Sequence, residues 1–430
     1  MKLSKESFSI IYLLLLTGAI FTPRFGVWDK MTIQLFWLSL SNILAIISIP
    51  LVFKEISYKK VIQNPLIICY AGYLVMCILS MVKSINLIES LVRFFQLVTF
   101  FISLCIIVFL AYNKTIRLKN ILWIMLLTLV IDLAYSYYML YSIIVQTKFT
   151  YDYNWLLVGL HGNRNILSAA ILFRIPLVII LITLLKNKPL KIILFLIITL
   201  AFLDVYLLSS RMALLSIIVC ILFIIMILFY NLYKTKNHII SFSKPVIMLY
   251  ILPCVLAYMI SAVMIDSSDQ GDVSNRLYSI ASTNDDSKNT RLRYYTHLID
   301  HISKNPFLGS GIGTWKLYSI KYDRVEINNY IIPYNAHNDI LEVSAETGVI
   351  GGVFFTSFFG FLFWGLYKNL RLYDKKPEDY YFWIFMTLPL IVYFIDVNLN
   401  FPSSRPFNQY LLLLYIYILV SPNLLMNEKK

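Results

Sequence analysis

Long apolar runs alternate with short polar turns over almost the whole chain. Several runs reach the roughly 20 apolar residues that a helix needs to cross a bilayer. They are continuous rather than alternating residue by residue, which favours helices over strands. The pattern predicts an all-α polytopic membrane protein with about twelve transmembrane helices. We expect the first, at about residues 8–22, to be an uncleaved span, because no small-residue cleavage site follows it.

One long polar segment interrupts this pattern and divides the chain into three parts. Residues 1–265 are predicted to hold transmembrane helices 1–9, and residues 266–338 to form one large loop. Residues 339–430 are predicted to hold helices 10–12 and a short cytoplasmic tail. Every lysine cluster falls in a short turn on the same side of this arrangement, as the positive-inside rule requires. The loop is therefore predicted on the outer side, with both termini inside.

The loop has an ordered pattern of its own. Residues 290–303, TRLRYYTHLIDHIS, carry apolar residues at helical spacing and predict an amphipathic helix that ends at Asn305-Pro306. Its predicted apolar positions are Leu292, Tyr295, Leu298, Ile299 and Ile302. A glycine cluster at residues 309–313 follows. Its spacing is compatible with a flexible turn or with a backbone nest that approaches a phosphate.

Composition supports a membrane protein and explains the charge. Hydrophobic residues make up 59% of the chain and charged residues 14%, far from the values of soluble domains. The net charge of +14 reflects topology rather than nucleic-acid binding, because the lysines lie between spans. All five cysteines fall inside apolar spans without metal-ligand or disulfide spacing, so we interpret them as packing residues.

Several ionisable residues lie inside or at the edge of spans, where they are costly and often functional. Asp132 is predicted near the middle of the bilayer, and a further group near the outer ends of the spans: Arg93, Arg174, Asp204, Arg211 and Asp396. Charge at one depth predicts a polar pocket open to the outer leaflet. For Arg93 and Arg174 individually, however, we expect snorkelling to the interface. Asp204, seven residues before Arg211, is predicted to share its helix face and orient it.

The segment at residues 334–352, YNAHNDILEVSAETGVIGG, joins the loop to the next span. Asn338 or Asp339 is predicted to cap the helix that follows. His337 lies just before this cap, and a histidine, with an ordinary pKa of about 6.5, is well placed there to take a proton. The same pattern suits a capping segment whose imidazole only hydrogen-bonds nearby backbone. The spacing leaves both interpretations open, with Glu342 and Glu346 as further candidates for the base.

Four features, in order, resemble the O-antigen ligase and polymerase superfamily of bacterial envelope glycan transferases. They are GLHGNRNILSA at residues 159–169, the turn Ser210-Arg211, the loop pattern RLRYY…KNPFLGSGIG, and HNDILEVSAETGVIGG at residues 337–352. The resemblance covers nearly the whole chain and is strongest at residues 159–352. It implies a fold like that of the type C glycosyltransferases, in the bacterial inner membrane, with the active site facing the periplasm.

The resemblance also implies a reaction and its residues. Family members transfer a glycan from undecaprenyl diphosphate to an acceptor hydroxyl, as in lipopolysaccharide biosynthesis, with inversion and without metal or cofactor. The expected partners are this donor, a lipid-anchored or glycan acceptor such as lipid A-core, and membrane lipids, but no nucleic acid. The family's catalytic histidine falls on His337, and its diphosphate-contacting arginines on Arg211 and on Arg291 or Arg293. Asn163, Asn165 and Asn338 fall in its substrate-binding segments.

Other classes of protein explain the pattern less well. A lipid-linked glycan flippase would show two related halves and short loops, whereas here the single large loop comes late in the chain. A membrane scaffold would leave the outer arginines unexplained. Within the superfamily the compact loop favours a ligase, and a polymerase stays the alternative.

Overall fold

The protein is described by a computed structural model that covers residues 4–22, 30–53, 58–146, 153, 156–233, 237–265, 272–281, 286–324, 334–372 and 377–421. All regular elements in these ranges are helical. The helices are α1 (Lys5–Gly18), α2 (Lys30–Val52), α3 (Lys59–Ile62), α4 (Pro65–Ser80), α5 (Leu87–Tyr112), α6 (Leu118–Gln146), α7 (Arg164–Leu184), α8 (Lys188–Leu208), α9 (Arg211–Tyr233), α10 (Asn237–Met264), α11 (Val273–Ala281), α12 (Asp286–Lys304), α13 (Trp315–Asp323), α14 (Asp339–Leu372), α15 (Pro377–Leu399) and α16 (Pro406–Val420).

The all-helical class is confirmed, but the count of twelve spans is not. Among the described residues, ten helices are long and apolar enough to cross a membrane. The predicted first and last spans correspond to α1 and α16, which have 14 and 15 residues. At 1.5 Å per residue such helices extend about 21–23 Å, short of the roughly 30 Å of a bilayer core.

The core of the bundle lies around α7. This helix packs against α6, α8 and α15, and 94% of its apolar window is buried inside the protein. A second large contact joins α4 to α14. These two packing centres carry the candidate site, because the embedded charges lie around α7 and the predicted catalytic segment begins α14.

The predicted amphipathic helix is confirmed as α12, which ends at Lys304 just before Asn305-Pro306. Its apolar face is only partly as predicted. Leu298 is fully buried in a small core with Trp315. In contrast, Leu292 and Ile299 are 53% and 58% exposed. These two residues are seven positions apart and share one face, which α12 turns away from the rest of the protein.

The glycine cluster packs and hydrogen-bonds against a kink in α14. Gly348 interrupts this helix with φ 77° and ψ 170°. A Cβ atom there would lie 2.1 Å from the carbonyl oxygen of Phe307. Across the kink, Gly311 N–H donates to the carbonyl of Glu346 at 2.9 Å, and Ser310 N–H donates to that of Ala345 at 3.1 Å. Because these N–H groups are used within the protein, the cluster is a packed turn and not a phosphate nest.

Candidate functional site

His337 lies two residues before α14, and hydrogen bonds of the residues on either side of it fix its backbone. Its φ of +58° is in the left-handed region, which is uncommon for a residue other than glycine. Asn338 caps α14, since its Oδ1 accepts from Leu341 N–H at 3.0 Å. Glu342 reaches back from the first turn, and its Oε2 accepts from Ala336 N–H at 2.7 Å. The predicted cap thus serves to present His337 in one backbone conformation.

His337 contacts α12 through its backbone and the α15–α16 connection through its ring. Tyr295 donates its hydroxyl to the carbonyl of His337 at 2.9 Å and lies 3.2 Å from that of Asn398. The ring of Phe401 meets the imidazole edge to face, with centroids 5.2 Å apart. Nδ1 of His337 is buried and has no hydrogen-bond partner among the described residues. Buried nitrogens without partners are rare and often mark a reactive position.

The electrostatic setting keeps the imidazole neutral. Burial first, and then the positive charge of Arg291, lower the pKa of His337 to about 4. Hydrogen bonding to Asn400 and to the Leu399 backbone opposes this shift without cancelling it. The pKa therefore lies below the ordinary histidine value of about 6.5, because the residue is buried beside a cation. At neutral pH the ring retains a lone pair that can accept a proton.

The two loop arginines have different surroundings. Arg293 forms a two-pronged ion pair with the buried carboxylate of Asp323, with Nε–Oδ1 2.7 Å and Nη2–Oδ2 3.2 Å. This pair joins α12 to α13. Arg291 instead lies close enough to His337 for its charge to act on the imidazole. Of the two candidates for diphosphate binding, the geometry favours Arg291 and gives Arg293 a structural partner.

Arg211 begins α9 directly after the tight turn, in which Ser209 has φ +51°. Arg164 begins α7 and lies close enough to Arg211 for the two charges to repel each other. Asn163 caps α7, since its Oδ1 accepts from the backbone N–H groups of Asn165 at 2.9 Å and Ile166 at 3.3 Å. Two helix N-termini, each starting with an arginine, are thus brought together, an arrangement that favours anions.

The predicted link between Asp204 and Arg211 is wrong. The helix breaks at Ser209, so the two residues belong to α8 and α9 and do not share a face. Asp204 is buried and accepts a hydrogen bond from Ser136 of α6 at 2.7 Å. It contributes to the packing of α8 on α6 rather than to the orientation of Arg211.

A buried charge cluster, which we call the Asp132 cluster, lies against α7. Oδ2 of Asp132 lies 2.6 Å from Nη2 of Arg174 and 3.1 Å from Nε2 of His161. Arg174 also donates Nε–H to the carbonyl of Ala170 at 2.8 Å. The prediction that Arg174 snorkels is wrong: its side chain is fully buried because a carboxylate lies within reach. The sequence analysis did not single out His161, whose signal was a histidine inside the GLHGNRN segment.

The single outer pocket predicted from embedded charges does not form as predicted. Asp396 is buried and accepts from Asn400 at 2.7 Å. Arg93 instead lines a separate cavity of about 520 Å³, which we call the Arg93 cavity. Its wall includes Lys316 and Arg405, which the sequence analysis did not consider. In the described ranges, no three His, Cys, Asp or Glu side chains are grouped so that they could hold a metal ion.

Comparison with known families gives one match. Residues 192–356 match the family model of the O-antigen ligases. The matched segment runs from α8 into α14 and includes Arg211, Arg291 and His337. No match was found among curated proteins.

Proposed function

Because this match supports assignment of the chain to the O-antigen ligase and polymerase superfamily, we propose that it is a membrane-embedded glycosyltransferase of the ligase type. It transfers a glycan from undecaprenyl diphosphate to an acceptor hydroxyl, such as one on lipid A-core, at the periplasmic face of the inner membrane. The observation that carries the proposal lies inside the matched segment. It is a buried imidazole whose pKa is lowered to about 4 beside an arginine, at the start of a membrane helix.

In the proposed step, His337 acts as the general base. Its unprotonated ring nitrogen takes the proton of the acceptor hydroxyl as the oxygen attacks the anomeric carbon of the glycan. The bond from that carbon to the diphosphate oxygen breaks, and undecaprenyl diphosphate leaves with the electron pair. One displacement without a covalent intermediate inverts the anomeric centre. A positioned base of this kind contributes about 10²–10⁴ in rate.

Charge develops on the diphosphate as it leaves, so cations contribute more there than a general acid does. Arg291, beside His337, and Arg211, at the start of α9, supply guanidinium groups for this purpose. Arginine suits the task because its planar fork binds phosphate oxygens in pairs and stays charged. The amides of Asn163, Asn165 and Asn338 are assigned to substrate binding. Asn163 and Asn338 use their oxygens for helix caps and keep their NH₂ groups for this role.

This proposal is tested by electrophoresis of surface glycolipids from a strain in which the gene is deleted. A ligase predicts loss of all polymeric glycan from the lipid core, with lipid-linked glycan accumulating. A polymerase of the same superfamily predicts a core that carries one repeat unit. Complementation with the wild-type chain is the positive control, and with the His337→Ala variant at equal membrane level the negative one. An unchanged ladder in the deletion strain would contradict both transferase functions.

A further inference from the structure

The Arg93 cavity lies near His337, and neither Arg211 nor Arg291 belongs to its wall. Its volume of about 520 Å³ falls within the roughly 300–1,000 Å³ of small-molecule sites. Phe401, whose ring meets the imidazole of His337, forms part of its wall. Asn335 also lines it, two residues before His337. A ligand in this cavity therefore contacts a neighbour of the proposed base without occupying the positions assigned to the donor diphosphate.

The cavity offers groups that suit a sugar. Oε2 of Glu342 accepts from Ala336 N–H at 2.7 Å, and Oε1 of Glu346 accepts from Trp315 N–H at 2.9 Å. A carboxylate has two oxygens and about four lone-pair sites, so each glutamate keeps capacity for a hydroxyl donor. The mixed polar and apolar wall, with both glutamates in it, matches the hydroxyl-rich edges and apolar faces of a glycan.

The same cavity also carries cations. Arg93 is half-buried, and its hydrogen bonds go to neutral acceptors, Gln96 Oε1 at 3.2 Å and Ser403 Oγ at 3.4 Å. Lys316 is paired with Glu89 and donates to the Tyr334 hydroxyl at 3.0 Å. Glu342, Glu346 and Asp339 lie within electrostatic reach of Arg93 but are not hydrogen-bonded to it, so its guanidinium keeps donors for a phosphate or carboxylate on the ligand.

The cavity borders the lipid-facing surface between α2 and α5. Leu35 and Val92 belong to its wall, and Val92 is 52% exposed. Phe36, which follows the wall residue Leu35, is 67% exposed, and Phe95, which precedes the wall residue Gln96, is 62% exposed. Large apolar side chains left outward on membrane helices face acyl chains. A molecule anchored in the outer leaflet can therefore place its polar part in the cavity while its lipid stays in the bilayer.

We propose that the Arg93 cavity binds the acceptor, and that it selects a membrane-anchored glycan with a phosphate or carboxylate near the reacting hydroxyl. Arg93 binds this anionic group, and Glu342 and Glu346 bind sugar hydroxyls. The inference rests on the proposed function, since it names the acceptor class of the same reaction. It places the acceptor away from the arginines assigned to the diphosphate, so that the attacking hydroxyl and the leaving diphosphate can lie on opposite faces of the anomeric carbon, as a direct displacement requires.

The test uses the purified full chain in phosphatidylethanolamine–phosphatidylglycerol nanodiscs and three acceptor probes. These are rough lipopolysaccharide core lipid, the same lipid after chemical removal of its core phosphates, and the same lipid with its carboxylates reduced. The wild type is expected to show an acceptor KM about tenfold higher for the one probe that lacks the recognised group. Equal KM values for all three probes would overturn the choice of an anionic acceptor.

Substitutions test whether the change in acceptor KM arises in the Arg93 cavity. Arg93→Gln is expected to raise the acceptor KM about tenfold, to leave the donor KM unchanged and to abolish discrimination among the probes. Lys83→Gln removes an exposed charge from the turn between α4 and α5 and should change nothing. A raised donor KM in Arg93→Gln would show that the cavity holds the donor and would overturn the proposal.

A steric variant keeps the inference separate from the proposed function. Leu35→Trp fills the cavity, whereas Leu40→Trp adds the same bulk on a more exposed side of α2. Binding of the untreated core lipid, measured by thermophoresis, should be lost only in Leu35→Trp. If the wild type binds this lipid but transfers nothing, the proposed reaction fails while the cavity assignment stands. Equal binding by both tryptophan variants would overturn the cavity assignment whatever the activity.

Discussion

Two of the largely buried histidines among the described residues, His161 and His337, lie in opposite electrostatic settings. His161 lies 3.1 Å from Asp132, which also pairs with Arg174 at 2.6 Å. His337 instead lies near the cation Arg291, and its Nδ1 has no hydrogen-bond partner among the described residues. In the Asp132 cluster the charges compensate one another, whereas around His337 they do not. The comparison indicates that a buried polar group is a better candidate for chemistry when the fold leaves it uncompensated.

The compensated cluster nevertheless has a clear structural role. A buried ion pair contributes little net stability, but removal of one partner costs about 3–5 kcal/mol because a buried charge remains. Asp132 belongs to α6 and Arg174 to α7, and His161 precedes α7, so the cluster fixes the segment that ends at the Asn163 cap. It therefore positions the N-terminus of α7, next to Arg211.

The largest expected effect separates the two histidines directly. His337→Gln should reduce transfer by about 10²–10⁴, because an amide can hydrogen-bond an acceptor hydroxyl but cannot take its proton. His161→Gln, the matched control, can still donate to Asp132 and should transfer within a few-fold of wild type. Transfer and donor binding are measured separately on purified variants. Near-normal transfer by His337→Gln would make Glu342 or Glu346 the next candidate base.

A smaller effect should separate the two loop arginines. Arg291→Lys keeps the charge but loses the fork, so we expect about a tenfold loss in kcat/KM for the donor with unchanged thermal stability. Arg293→Lys can still pair with Asp323 and should retain its activity. If Arg293→Lys is instead the impaired variant, the diphosphate contact belongs to that residue. The measurement is initial rate against donor concentration, with thermal melting of each variant as the control.

The smallest effect concerns pH. Since the pKa of His337 is lowered to about 4, its ring is neutral above that value and transfer should be flat from about pH 6 to 8. Arg291→Met removes a nearby positive charge and should move the acid midpoint of kcat/KM upward. His161→Gln should leave it unchanged. A wild-type midpoint near the ordinary histidine value of about 6.5 would contradict the burial of His337.

The same shift affects stability, with a defined sign. Because the folded pKa lies below the unfolded value of about 6.5, the unfolded state binds the proton more readily. The contribution of His337 is complete above pH 6.5 and is lost as the pH falls through about 4. The difference in melting temperature between wild type and His337→Gln, measured from pH 6.5 down to about 4, isolates the contribution of His337.

Sequence patterns predicted the features that depend on local periodicity. The helices, the α8–α9 turn, the amphipathic α12 and the Asn338 cap all follow from neighbouring residues. The failures involve residues that are distant in sequence or separated by a helix break. Asp204 and Arg211 are predicted to share one face although the predicted turn at Ser210-Arg211 interrupts the helix between them, where Ser209 takes a left-handed conformation. Tyr295, assigned only to an apolar face, reaches the carbonyl of His337 across 42 positions.

The Arg93 cavity illustrates the same limit. Its wall combines α2, α5, α13 and the connection between α15 and α16, which no periodicity can bring together in advance. Arg93 was identified as an embedded charge, but its neighbours Lys316 and Arg405 were not. Arg93 bonds to Ser403 across 310 positions. Only the packing of the spans brings these side chains to one wall.

The hydrogen bonds between the glycine cluster and α14 have a consequence for the order in which the helices assemble. The cluster also binds two earlier helices, α4 and α5: Ile312 N–H donates to Ser80 Oγ at 3.1 Å, and Ser90 Oγ donates to the carbonyl of Ile312 at 2.6 Å. The second contact joins residues 222 positions apart. At about 5–20 residues per second, the ribosome needs on the order of tens of seconds to supply the later partner. The hairpin of α4 and α5 therefore lacks these contacts until α14 has been synthesised. Only then can the loop pack against it.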